Sequence, residues 1–406
     1  MISTATQTAG SASNSASNAA ALADFIERID YATAHHQPLC LQGGGSKQWY
    51  GEAPKGDILD TRTYTGIIDY DPTELVITAR CGTPLSVIVA ALAEQGQMLP
   101  FEPPSFTNQA TIGGVVAAGL AGPRRAYTGA VRDFLLGTVL LSGRAERLVF
   151  GGQVMKNVAG YDVSRLLAGS MGCLGLLLEM SVKVLPLPRS EISLLFSYSR
   201  QEALTHLNQW AGLPYPISAS CWEDGHLILR LSGSEAAIKS TRHQLGGELL
   251  SPVQASEYWS SLREQTHPFF NQDGTLWRLS VPDTTPAFSL SSLDSDNELI
   301  EWGGAQRWFR LPEANHPQQQ TQPNSETIRA LATRMGGHAT LFRCRNNTLS
   351  EVNKPTGIFH PLTPPLLAIH RRLKQTFDPA GIFNPGRMYL ELDGETVAEH
   401  TSKVNA

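Results

Sequence analysis

The chain has no paired cysteines. Its five, Cys40, Cys81, Cys173, Cys221 and Cys344, are odd in number and scattered, with no C-x-x-C spacing. This argues against a disulfide framework and against a structural zinc or iron–sulfur site, and points to free thiols in a reducing cytoplasm. None of the 11 histidines falls in an H-E-x-x-H or similar ligand spacing, so no protein-bound metal is expected. Positive charge is not in excess: 32 Lys and Arg stand against 37 Asp and Glu, a net charge of −5. That leaves no electrostatic case for nucleic acid or an anionic membrane surface. Long hydrophobic runs are missing too. The stretch Leu166–Met180 is broken by Gly169, Gly172 and Gly175 and is too short to span a membrane. The N-terminal MISTATQTAGSASNSASNAA lacks the basic start and apolar core of a secretory signal, and the arginines of a transit peptide. Residues 1–20 are expected to be a disordered tail. No internal repeat is visible. A cytoplasmic protein without a direct membrane span is expected, with peripheral attachment at the inner membrane left open through partners.

What is present is enough chain, 406 residues, for two or three domains with a sizeable core. Leu22, Phe25, Ile26 and Ile29 fall at helical spacing. Short strands are expected at Pro38–Gln42, Asp57–Asp60, Ile67–Tyr70 and Leu75–Arg80. Thr83-Pro84 reads as a hydroxyl cap and first-turn proline before a helix with Leu85, Ile88, Val89 and Leu92 inward, ended by Gly96. Leu135–Leu141 and Arg147–Phe150 form a hairpin, and Leu174–Val184 is another apolar strand. Pro186 and Pro188 mark a boundary. Beyond it, strands at Glu191–Tyr198, His226–Leu231, Trp277–Val281 and Ala305–Leu311 mix with helices near Gln201–Trp210, Ser234–Leu245 and Ser256–Gln265, an α+β pattern. Asn315–Thr327 reads as an exposed loop. A last helix runs from Thr363-Pro364 to Phe377 with Leu366, Ile369, Leu373 and Phe377 on one buried face.

Three glycine clusters carry the chemistry. Gly43-Gly44-Gly45-Ser46 follows a strand, and consecutive glycines let backbone N–H groups converge on pyrophosphate oxygens; the same loop can be a plain turn. It is not the G-x-G-x-x-G fingerprint, which counts against a nicotinamide-type dinucleotide site. Thr111-Ile112-Gly113-Gly114 opens a run of small residues suited to tight packing or to phosphate at a helix start. Arg124 and Arg125 stand beside glycines, free to neutralise phosphate or to pair with Asp133. In Gly160–Gly175, glycines beside an apolar strand suggest backbone running along a flat ring.

In order, QGGGSK, PPSFTNQATIGG, GPRRAYTGAVRDFLLG, KNVAGYDVSRLLAGSMGCLG and FDPAGIFNPGRM resemble the FAD-binding subunits of bacterial glycolate oxidase (glycolate dehydrogenase), in the vanillyl-alcohol-oxidase-type (PCMH-type) superfamily. The resemblance spans Leu39–Pro188 and Phe359–Tyr389 and is loose between. It implies an α+β fold: a two-subdomain FAD-binding domain over 21–188, a mixed α+β cap over 189–355 and a C-terminal segment, 356–406, returning to the flavin. It implies pyrophosphate on Gly43, Gly44, Gly45 and Ser46. Thr111, Gly113 and Gly114 would lie along the ribityl–pyrophosphate stretch, with Gly129 and Asp133 in the same cofactor set. Gly160, Asp162 and Gly175 would surround the flavin, and Asn384 would lie near its ring. It also implies two partners, a second FAD-containing subunit and an iron–sulfur subunit, and a 2-hydroxy acid substrate, glycolate, oxidised to glyoxylate.

Departures from the relatives sharpen the expectations. The early glycine loop has no histidine, so FAD is expected to be noncovalent. The cap shows no histidine-rich motif and no arginine cluster in sequence. Where relatives carry Glu-His-Gly, this chain reads Gly336-Gly337-His338-Ala339-Thr340. His338, His360 and His370 are the candidates for a proton acceptor; His338 is the more open, and His370 reads as a packed histidine. Cys81 reads as a small buried residue. Two other readings remain: a self-sufficient FAD-dependent oxidase of another 2-hydroxy acid or alcohol, and a flavin-free structural subunit. Gly44→Asp is expected to abolish FAD binding by repelling the pyrophosphate.

Overall fold

The computed structural model describes residues 5–152, 162–290, 297–311, 324–344 and 357–393. An antiparallel five-stranded sheet forms the first half, in the order Ile67–Asp71, Val76–Arg80, Leu176–Lys183, Leu135–Leu141, Arg147–Gly151. Its middle strand, LLLEMSVK, is largely buried, with Glu179 and Lys183 the half-buried positions. Leu85, Ile88 and Leu92 supply one cover and Ile112, Val115 and Val116 another. A separate parallel pair, Leu39–Gln42 with Asp57–Asp60, sits beside it. Phe25, Ile29 and Ala32 of the first helix close the same core.

That first helix runs Ala5–His35, where a disordered tail was expected up to residue 20. Asn18 is buried and its Oδ1 accepts from the Thr65 N–H at 2.9 Å. The Ala-rich composition sustains the helix, and this tertiary bond holds its middle. The expected hydroxyl cap at Thr83 is also absent. The Thr83 hydroxyl donates to the Arg80 carbonyl and accepts from the Gly66 N–H, so it closes a strand turn and Pro84 starts the next helix uncapped.

The second half is an eight-stranded antiparallel sheet, ordered Glu248–Leu249, Ser190–Ser197, His226–Gly233, Ile217–Glu223, Glu298–Glu301, Gln306–Leu311, Thr275–Ser280, His338–Arg343. Four of these strands were expected. Ile217–Glu223 was missed because ISASCWE alternates small residues with little apolar contrast. Helices Arg200–Ala211, Glu235–Leu245, Pro252–Glu264 and Ser325–Arg334 are capped by Ser199, Ser234, Ser251 and Asn324. Ser325–Arg334 begins inside the segment read as a loop; residues 315–323 of that segment lie outside the described residues.

The C-terminal return completes the first domain, while its start, residues 357–360, bonds to the second sheet and its last helix. The Leu39 N–H donates to the Ile382 carbonyl, and the Asn384 N–H to the Leu39 carbonyl. The helix Pro364–Phe377 was expected to bury Leu366 and Ile369, but these are 48% and 51% exposed. Its anchor lies at the other end. Buried Lys374 donates to the carbonyls of Cys173 and Phe383 and to Asp378 Oδ2, at 2.7–2.9 Å.

Candidate functional site

The Leu39–Gln42 strand ends in the glycine loop, which packs directly on the 109–111 segment. A Cβ on Gly44 would lie 1.5 Å from the Gln109 carbonyl oxygen, and one on Gly43 2.4 Å from Thr111 Oγ1. Here glycine is required by loop-to-loop packing. Gly44→Asp would therefore break this contact before any charge effect was felt, which corrects the expectation above. Among the described residues, no hydrogen bond uses the N–H of Gly44, Gly45 or Ser46. Those three donors border a cleft of roughly 100 Å³ shared with Gly43, Lys47, Thr111, Gly114, Met171, Asn384 and Arg387. Thr111 Oγ1 accepts from the Gly114 N–H at 3.2 Å, leaving its own proton to donate. Lys47 Nζ stands 3.2 Å from the Ser46 hydroxyl. Burial pulls the Lys47 ammonium down to about 8, with Glu264 partly opposing. A half-buried ammonium beside unspent N–H donors fits an anion such as a pyrophosphate.

The return segment fixes this loop. Asn384, at φ +43°, uses its whole amide: Oδ1 accepts from the Leu41 N–H at 2.8 Å and Nδ2 donates to the Met171 carbonyl at 2.7 Å. Arg387 donates to the carbonyls of Gln48 and Tyr50, at 2.7 and 2.8 Å, and to that of Glu52. Neither residue's role was legible beyond the FNPGRM resemblance, because the partners lie more than 200 residues away.

Register places a second set of groups across the eight-stranded sheet. Cys221, Glu301, Gln306, Ser280 and His338 are successive cross-strand partners, and Glu223, Leu299, Trp308, Arg278 and Thr340 form the next row. Directly opposed residues share a face. Cys221, Leu299 and Trp308 pack with Tyr50, Leu120, Met171 and Cys173 of the first domain, so this face is turned toward the glycine-loop domain. Arg278 Nη2 donates to the Tyr50 hydroxyl at 2.9 Å, and its guanidinium lies 4.9 Å from the Phe342 ring. Arg125 stacks on Trp302 at 4.6 Å. Burial lowers the Arg125 pKa, and the charges of Arg132 and Arg278 lower it further. His338 opens the last strand. Its pKa is held down by desolvation, then by Arg278, His360 and Arg125. Arg125 and Arg278 thus lie within electrostatic reach of each other, a loose arginine cluster in which Arg132 also acts on Arg125 and Asp133 opposes it. No local motif could have shown it.

The other expected site residues lie elsewhere. Gly113 packs on Cys81, which is buried, and Gly175 on Leu140 and Leu141. Gly129 faces Asp133, whose Oδ2 accepts from the Ala130 N–H. Arg165 joins Asp133 and Asp162 at 3.2 and 3.0 Å on an exposed surface. Gly160 lies outside the described residues. Neither Arg124 nor Arg125 pairs with Asp133; Arg124 is bonded to Glu102 and Glu191. His360 accepts or donates within the Thr333 and Ala339 contacts, 6.5 Å from His338, and His370 lies half-buried against Tyr389.

A larger cleft of about 870 Å³ opens between the Leu85–Glu94 helix and the second sheet. Its charged floor, Glu102, Arg124, Glu191 and Arg230, is already paired within itself, so the glycine-loop cleft is the better cofactor site. No helix among the described residues is long and apolar enough to cross a membrane, and no three or more His, Cys, Asp or Glu side chains there gather to hold a metal.

Comparison with known proteins fits this geometry. Residues 18–151 match an FAD binding domain, and 360–388 match the C-terminal domain of FAD linked oxidases. The fold is similar to a solved structure of alkyldihydroxyacetonephosphate synthase, with TM-score 0.58 at 13% identity, covering 89% of this chain and 74% of that one. The chain is 31% identical to the glycolate oxidase subunit GlcD of Bacillus subtilis (strain 168) over 44% of its length and 39% of the relative's. To the glycolate oxidase subunit GlcE of Escherichia coli (strain K12) it is 48% identical, across 91% of this chain and 97% of that relative. Identity at that level over nearly the whole of both chains places this protein in the glycolate oxidase GlcE subunit family of FAD-linked oxidoreductases.

Proposed function

We propose that this chain is the FAD-carrying subunit of a heteromeric glycolate dehydrogenase, oxidising glycolate to glyoxylate and passing electrons to partner subunits. The observation that carries the reading is Tyr50. It lies just past the glycine loop, and its hydroxyl accepts from Arg278 of the second sheet. The anion-ready cleft and the arginine cluster are thereby held together.

Gly44, Gly45 and Ser46 would hold the FAD pyrophosphate through their N–H groups, with Lys47 and the Thr111 hydroxyl adding donors. Gly43, Gly114 and Asn384 shape the same cleft. Gly113, Gly129 and Gly175 are assigned to packing. Among the described residues no histidine borders the cleft, which favours noncovalent attachment. When bound, FAD supplies a two-electron acceptor for the hydrogen on the substrate's α-carbon. Arg278 and Arg125 orient the substrate carboxylate, and Phe106, Trp308 and Phe342 keep water from the reacting carbon. The partners would be a second FAD-containing subunit and an iron–sulfur subunit, with attachment to the cytoplasmic face of the inner membrane through them.

The test is the visible spectrum of the purified full chain, before and after glycolate without oxygen. Flavin bands that bleach support a substrate site in this chain. Bands that persist place glycolate oxidation on a partner, and a colourless chain that cannot be reconstituted with FAD overturns the flavoprotein reading.

A further inference from the structure

Glu301 differs from the other buried carboxylates described in this chain. Glu102 is paired with Arg124 and Arg230, Glu298 with Arg200, and Asp378 with Lys374, all within 3.2 Å. Glu301 is 4% exposed and has no ion pair among the described residues. Its Oε2 accepts from Nε1 of Trp308 at 2.7 Å and Nε2 of Gln306 at 3.0 Å. Among the described residues, nothing donates to its Oε1. The side chain borders a cavity of about 20 Å³ walled by Arg278, Phe106, Leu120, Gly122, Trp308 and Phe342. That is room for one water or one hydroxyl.

The geometry points to Glu301 as the group that takes the substrate's hydroxyl proton, with Arg278 holding the carboxylate of the same 2-hydroxy acid. This rests on the function proposed above and names the base that the histidines do not supply. His338 sits at the exposed end of the Glu301 row, on the outermost strand. Glu301 stands three strands inward, on the same cavity as Arg278. Trp308 and Gln306 occupy one oxygen and fix the carboxyl plane, which leaves the other without a donor among the described residues.

The step balances. The substrate O–H bond breaks and its proton goes to Glu301 Oε1. The freed oxygen pair closes the C=O bond. The α-hydrogen leaves with its bonding electrons to the flavin oxidant. Burial pushes the Glu301 carboxyl up to about 7, opposed by the Trp308 and Gln306 bonds and by Arg278, and assisted by Glu102. That lies near the working pH of a general base. The other titratable groups facing it are Cys221 and Tyr258 and Arg263 across the cavity.

The experiment uses the full chain loaded with FAD. In Glu301→Gln, anaerobic flavin reduction by glycolate should slow by roughly 10²–10⁴-fold, while the glycolate dissociation constant, read from the flavin spectrum, should hardly change. The limb near pH 7 in the rate profile should disappear. Trp308→Phe keeps the carboxylate but removes a donor to its charged form, so the limb should move to higher pH. Independently of turnover, infrared spectra of the FAD-free chain should show a neutral carboxyl band titrating near pH 7 that loses intensity in Glu301→Gln, with Glu223, also pushed up to about 7, supplying the remainder. A wild-type chain that bleaches and a Glu301→Gln chain that bleaches equally fast overturn this inference and leave the proposed function standing. Absence of the carboxyl band, or a band that keeps its full intensity in Glu301→Gln, overturns it as well. A wild-type flavin that glycolate never reduces overturns both.

Discussion

Replacing Lys47 with methionine tests whether the glycine-loop cleft is an anion site. Burial lowers the Lys47 ammonium from an ordinary 10.5 to about 8, with Glu264 pulling the other way. At about 1.4 kcal/mol per pKa unit, keeping that charge in the cleft costs about 3 kcal/mol. A pyrophosphate oxygen at ~4 Å would return a similar amount at an effective dielectric of about 20. The bound state therefore holds the proton more tightly than the free state, and FAD binding takes up a proton above pH 8. The sign follows: affinity is flat below about pH 8, then weakens by up to tenfold per pH unit. The total loss is on the order of 100-fold if the ordinary pKa is restored. Titrating the FAD-free chain with FAD from pH 6.5 to 10 at constant ionic strength measures it. Lys47→Met should bind weakly throughout and lose most of the slope. A wild-type affinity flat across pH 8–10, or an equal slope in the variant, would refute the assignment of Lys47 to the pyrophosphate.

Three further outcomes follow from particular contacts. Gly44→Ala should unseat the loop from the Gln109 carbonyl, destabilise the chain by about 1–3 kcal/mol and lower FAD occupancy, whereas Ser46→Ala should keep the fold; thermal unfolding with flavin content separates them. Lys374→Met strands buried Asp378 and removes donors to two carbonyls, so urea unfolding should show a loss of about 3–5 kcal/mol. Arg278→Met should raise the KM for glycolate at least tenfold with a smaller effect on kcat, since it removes a carboxylate partner; an unchanged KM would remove Arg278 from the substrate site.

The first sheet was readable because its signals are local. The hairpin 135–151, the strand before the glycine loop and the helix after Pro84 each declare themselves within about a dozen residues. The glycine loop was readable as a loop, yet the reason for Gly44 was not. Its constraint is the backbone of residue 109, reached only through the fold. The first helix shows the converse. A low-complexity stretch of Ala, Ser and Asn carries no apolar stripe, so only a tertiary contact, Asn18 to Thr65, reveals that part of it docks.

The substrate side was illegible for a stricter physical reason. Arg278, Glu301, Trp308 and His338 lie on four adjacent strands whose order along the sheet is not their order along the chain. A search for a base among histidines looks for a residue type with the right ordinary pKa. Glu301 has the wrong ordinary pKa and acquires a suitable one only by being buried without a paired cation. That property belongs to the packing of two strands against Leu120 and Phe106, and no spacing in the sequence encodes it. The same holds for the arginine cluster. Arg125 comes from a short helix after the second glycine cluster and Arg278 from a strand roughly 150 residues later. Only the docking of the second sheet on Tyr50 makes them neighbours. Chemistry assembled across a domain interface is set by that docking, so a variant that loosens the Arg278–Tyr50 contact, such as Tyr50→Phe, should impair substrate turnover more than FAD retention.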